Sequence, residues 1–92
     1  MVPQITRVET KPEYQLHVNF KGAGARLFDM KPYIKKGIFK ELRNEKYFKK
    51  VRIIWGGVEW PHEQDLSTET LYSLGRPLAG SYKDKRRMPK KG

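Results

Sequence analysis

Hydrophobic positions in the N-terminal third of the chain recur with a period of two. Tyr14, Leu16, Val18 and Phe20 alternate with Gln15, His17 and Asn19. Such alternation, in aromatic and β-branched residues, predicts a strand buried on one face. Ile5–Thr10 predicts a strand before it, interrupted by Lys11-Pro12-Glu13. Lys21-Gly22-Ala23-Gly24 supplies the glycines of a hairpin turn, and Ala25–Met30 continues as a third strand. Three strands joined by short turns make an antiparallel meander.

The period changes at Pro32. Ile34, Ile38 and Leu42 fall four apart with Phe39 beside them, while Lys35, Lys36, Lys40 and Arg43 lie between. That spacing predicts an amphipathic helix of about two turns, apolar inside and cationic outside. Gly37 lowers helix propensity by about 1 kcal/mol, an argument for starting the helix there. Tyr47 and Phe48 predict a further short turn packed on the core. Val51–Trp55 reads as a strand, Gly56-Gly57 as a two-residue hairpin turn, and Val58–Trp60 as the returning strand. After a loop at Pro61–Asp65, Ser67 is placed to cap a helix over Thr68–Leu74, with Glu69 in its first turn and Gly75-Arg76-Pro77 at its end. The expected fold is α+β, ordered βββ-α-ββ-α: a three-stranded antiparallel meander, a helix, a β-hairpin and a C-terminal helix, with the helices packed on one sheet.

Charge divides this chain further. Its formal net charge is +10 over 92 residues, unevenly spread. Residues 31–52 carry net +7, residues 53–75 have no lysine or arginine and net −4, and residues 76–92 carry net +6. The last segment has little apolar surface to offset an ordering cost of about 1–2 kcal/mol per residue. Residues 1–75 are therefore expected to form one α+β domain and residues 76–92 a basic flexible tail.

Several classes of function are disfavoured. There is no cysteine for a disulfide, a thiolate nucleophile or a Cys-ligated metal. Apolar runs fall well short of the ~20 residues of a membrane helix. MVPQITRVET has no apolar signal region, so a cytoplasmic location is expected. His17 alternates onto the polar face of its strand. His62 lies close to Glu63, Asp65 and Ser67, but adjacent loop residues seldom converge as metal ligands or as a catalytic triad, and no metal, cofactor or catalytic residue is assigned. Gly22-Ala-Gly24 and Gly56-Gly57 sit between strands, whereas a phosphate-cradling loop opens a helix. Trp55, Trp60, Tyr14, Phe20, Phe28, Phe39, Tyr47 and Phe48 supply the bulk of a small core, most pointing inward by periodicity; Tyr33, Tyr72 and Tyr82 are left open. The basic surface is the remaining signal. It suits contact with phosphates through Lys35, Lys36, Lys40, Arg43, Lys85, Arg86 and Arg87.

Leu27-Phe-Asp29, Gly37-Ile-Phe-Lys-Glu-Leu42, Phe48-Lys-Lys-Val51 and above all Trp60-Pro61…Asp65-Leu66-Ser-Thr-Glu-Thr-Leu71-Tyr72 resemble the prokaryotic family called domain of unknown function 2442, from about residue 5 to 73. The resemblance implies a small α+β domain with no established catalytic activity. It also implies a small protein encoded beside another small protein, as in a toxin–antitoxin pair. Some relatives carry a C-terminal helix-turn-helix domain, whereas this chain has the basic segment there. His62-Glu63-Gln64 occupies a loop that often reads Asn-Gly. Physically, Trp60 anchors that loop, Pro61 stops an edge strand, Asp65 with Ser67 starts the last helix, and Leu66, Leu71 and Tyr72 dock it. The expected function is a non-enzymatic interaction module for a small protein partner, docking at a sheet edge or the acidic 53–75 surface. The alternative is nucleic-acid binding through the basic helix face and tail.

Overall fold

The computed structural model describes residues 2–78. The meander forms as the alternation requires. Strands β1 (Ile5–Lys11), β2 (Gln15–Phe20) and β3 (Gly24–Asp29) pair antiparallel, with Val8 opposite Val18 and Leu16 opposite Phe28. Leu16, Val18, Phe20 and Phe28 are buried on one face. Tyr14 is not part of β2. It stands in the turn, where Glu13 (φ 66°) and Tyr14 (φ 60°) are consecutive left-handed residues.

A short 3₁₀ helix covers Gly37–Arg43, as the glycine suggested, in place of an α-helix. Its bonds run from Phe39 N to Lys36 O and from Asn44 N to Glu41 O. At three residues per turn, positions three apart share a face. Phe39 and Leu42 therefore point to the core, and Ile38, expected there from a four-residue period, is 63% exposed. Helix α1 (Glu45–Phe48) follows, capped by the Asn44 side chain, with Tyr47 and Phe48 buried.

Strands β4 (Arg52–Ile54), β5 (Gly57–Glu59) and β6 (Asp65–Ser67) form a second sheet. The single sheet expected from the sequence is thus two: the β4–β5 hairpin pairs with β6, which begins where the predicted loop ends, and not with the meander. Pro61 accordingly follows a central strand, not an edge strand. The hairpin turn is also one residue earlier than expected. Ile54 pairs with Gly57, so Trp55 and Gly56 form the loop. Gly57 is already in the strand, where an added Cβ would sit 2.1 Å from Leu66 O. A one-residue shift reverses which way a side chain faces. Trp55, assigned to the core by sequence, is 93% exposed.

Ser67 caps α2 (Thr68–Leu74) by accepting from Thr70 N. Asp65 does not take part in that cap; it lies exposed in β6. Leu71 is buried and Tyr72 packs partly buried against the core from α2, whereas Leu66 packs there from strand β6, opposite Val58. Gly75 ends the helix at φ −73°, and the glycine is required there by space: a Cβ would lie 2.5 Å from Leu71 O. Arg76 and Pro77, assigned by sequence to the tail, form β7 and pair with β3, giving the order β1-β2-β3-β7. One core, centred on Trp60, Leu16, Met30, Leu42, Val58 and Leu71, joins the two sheets, and β1 runs beside β4.

Candidate functional site

Three regions of the surface and near-surface deserve comparison as sites, and each grows from a short element. The first is the loop after β5. Trp60 is fully buried and its indole N–H donates to Phe48 O at 2.8 Å. Gln64 is 2% exposed and is satisfied on every side. Its amide nitrogen donates to Ile38 O (2.9 Å) and to Glu41 (3.1 Å), and its carbonyl oxygen accepts from the Tyr47 hydroxyl at 2.6 Å. The Tyr47 oxygen in turn accepts from His62 N at 2.8 Å.

His62 turns away from Asp65. Its Nδ1 meets Glu41 at 2.7 Å, with the imidazole side chain 65% exposed. The His62 hydrogen bond, followed by that of Gln64, holds the Glu41 carboxyl below the usual carboxylate range; partial desolvation opposes them. This network clamps the 3₁₀ helix and α1 to the loop. Sequence reasoning treated Gln64 as a loop residue and missed it. Its one visible signal was a long amide side chain between a buried tryptophan and a strand. Among the described residues, no three His, Cys, Asp or Glu side chains gather into a set able to hold a metal.

The second region is cationic. Lys35, Lys36, Lys40 and Arg43, singled out by sequence, are all exposed on the turn and 3₁₀ helix between β3 and α1. Among the described residues none of the four makes an ion pair, and neither do Lys46, Lys49 and Lys50, which follow them. The ion pairs among the described residues join Arg7 and Lys11 to Glu9, Lys31 to Asp29, Arg52 to Glu59, and His62 to Glu41. Lys31, Lys35 and Arg43 border a shallow pocket with Tyr14, Asp29, Pro32 and Ile34. Lys85, Arg86 and Arg87 lie outside the described residues.

The third region is apolar. Beside the exposed Trp55, a groove is lined by Val2, Pro3, Ile5, Ile53 and Ile54 and closed by Gln4, Gly56 and Thr68. Ile53 is 41% exposed on β4, an edge strand of its sheet. Three apolar residues in a row, Ile53-Ile54-Trp55, cannot all face one way in a strand; that was the signal for an exposed tryptophan. His17, by contrast, is half-buried on the open face of the meander beside Thr6, Arg7, Glu9 and Asn19, and its Nδ1 has no partner there.

No curated protein and no solved structure matches this chain. A family model does, described as protein of unknown function (DUF2442), over residues 5–77. That span takes in both sheets, the Trp60–Tyr72 motif and the strand β7 that closes the meander, so the chain belongs to the DUF2442 family.

Proposed function

We propose that this protein is a non-enzymatic interaction module that binds a small protein partner through the β4–β5 hairpin tip and the groove beside it. The observation that carries this reading is Trp55, 93% exposed and contiguous with Ile53 and the groove residues. A tryptophan held in water beside further apolar surface is costly for a monomer and is the residue type most often dominant at interfaces. Asp65 lies exposed on the same sheet as the hairpin, beside Glu59, which is paired with Arg52, so a partner with an apolar anchor and a cationic flank suits the surface.

The family resemblance, with its antitoxin-like pairing of adjacent genes, makes the product of the neighbouring gene the first partner to test. Mixed with it, the protein is expected to elute as one complex in size-exclusion chromatography. Trp55→Ser is expected to weaken that complex by about 2 kcal/mol or more while leaving the melting temperature unchanged. Two separate monomers with the wild-type chain would reject the reading.

A second reading, contact with nucleic acid, is supported by the run of unpaired cations between Lys35 and Lys50. Charges without an ion-pair partner attract polyanions, and such contacts are sequence-independent.

A further inference from the structure

The pocket at the start of the cationic face differs from the rest of that face, because hydrogen bonds and packing hold its walls while two of its charges stay free. Tyr14 is pushed out of β2 by two consecutive left-handed residues, Glu13 and Tyr14, neither of them glycine. These residues make the tight turn between β1 and β2, and that turn sets where the Tyr14 ring stands. The Tyr14 hydroxyl donates to Arg43 O, and its ring packs edge-on against Phe48, with centroids 5.5 Å apart. On the opposite wall, the Asp29 carboxylate accepts from Lys31 N at 2.9 Å and pairs with Lys31 Nζ at 3.3 Å. Lys31 also donates to Glu13 O, which ties the Glu13 turn to this wall. Ile34 is nearly buried beneath them.

Two charges at this site are left uncompensated: Lys35 and Arg43 line the pocket and have no ion-pair partner among the described residues. An apolar and aromatic lining bordered by two free cations matches a ligand that is flat and apolar at one end and doubly anionic or polyanionic at the other. Resting on the second reading above, we infer that the pocket seats one nucleotide of a single-stranded polynucleotide. The base would lie against Tyr14, Pro32 and Ile34, with the flanking phosphates on Lys35 and Arg43. Single strands fit better than duplex because only an unstacked base can enter such a pocket. The strand would continue over Lys40, Lys46, Lys49 and Lys50 through phosphate contacts alone. An anionic membrane is disfavoured by the small apolar area among these lysines, where Ile38 is the one strongly exposed aliphatic residue.

Fluorescence anisotropy with a labelled single-stranded oligonucleotide of about 12 nucleotides, its duplex, and phosphatidylserine vesicles as competitor tests the assignment with the full chain. Wild type is expected to prefer the single strand over the duplex by about fivefold or more. The double variant Lys35→Glu/Arg43→Glu is expected to lose about tenfold or more in affinity and to flatten the salt dependence by about two contacts. The double variant Lys46→Glu/Lys50→Glu has the same net charge but lies outside the pocket, and is expected to lose less and to keep the strand preference. Equal losses in the two variants, or equal binding of duplex, would overturn the pocket while leaving the nucleic-acid reading in place. No oligonucleotide binding by wild type would overturn both, and full displacement by vesicles of a weakly held oligonucleotide would reassign the face to lipid. Unchanged far-ultraviolet circular dichroism in each variant keeps a folding failure from passing as lost binding.

Discussion

At the scale of single residues, the Glu41 carboxylate ties the 3₁₀ helix to the loop after β5. It accepts from His62 and Gln64, and its affinity for protons is lowered chiefly by the first. A carboxyl easier to ionise in the folded state than in the unfolded chain stabilises the fold above its unfolded pKa, and that contribution is lost as the pH falls through the lowered folded value. Glu9 behaves alike, held low mainly by Arg7. Thermal melts are therefore expected to show a stability loss on acidification below about pH 4.3, the ordinary glutamate value. Glu41→Gln is expected to shrink that acid-side loss without abolishing it, since Glu9 remains. An acid limb of unchanged depth in the variant would contradict the assignment.

At the scale of elements, the 3₁₀ geometry makes a sharper prediction than the charge does. Leu42 is fully buried and Ile38 is 63% exposed, although both sit on one stripe of an ideal α-helix. Leu42→Ala is expected to destabilise by about 2–5 kcal/mol in urea unfolding. Ile38→Ser is expected to change stability by about 0.5 kcal/mol or less. Comparable losses at the two positions would argue for α-helical packing.

The same contrast shows what the sequence made legible. Alternation revealed β2 because its period is strict and one face is buried, and the breaks at Lys11–Glu13 and Lys21–Gly24 marked off β1 and β3 beside it. Ser67, Gly37 and the Tyr47–Phe48 turn were visible through local chemistry. The 3₁₀ helix was hidden because periods of three and four overlap within seven residues. Strand β6 was hidden because Asp65-Leu-Ser67 is too short to show a period and pairs only through tertiary contact with β5. Of the candidate sites, the cationic face was readable from charge alone. The exposed Trp55 required the turn register, and the Tyr14 pocket required a backbone conformation that no residue type announces.

At the scale of the whole molecule, one core is shared by two sheets that the chain does not visit in separate halves. It builds the meander, crosses to β4–β6, and comes back through α2 to lay Arg76-Pro77 against β3. Arg26 secures that return. Its guanidinium lies 4.0 Å from the Tyr72 ring centre, and Nη1 reaches Gly75 O at 3.5 Å. Leu78 N then donates to Ala25 O. A chain ended at Gly75 is expected to melt at least about 4 °C below one ended at Leu78 in parallel calorimetric scans. It is also expected to show concentration-dependent association, because the flank of β3 would lose its cover. Identical melting of the two lengths would mean that the return strand adds nothing.

The route of the polypeptide thus works like a stitch passed twice through the same cloth. The first-made layer is finished only by the last-made segment, so it has no complete version of itself to fall back on once that end of the chain comes away.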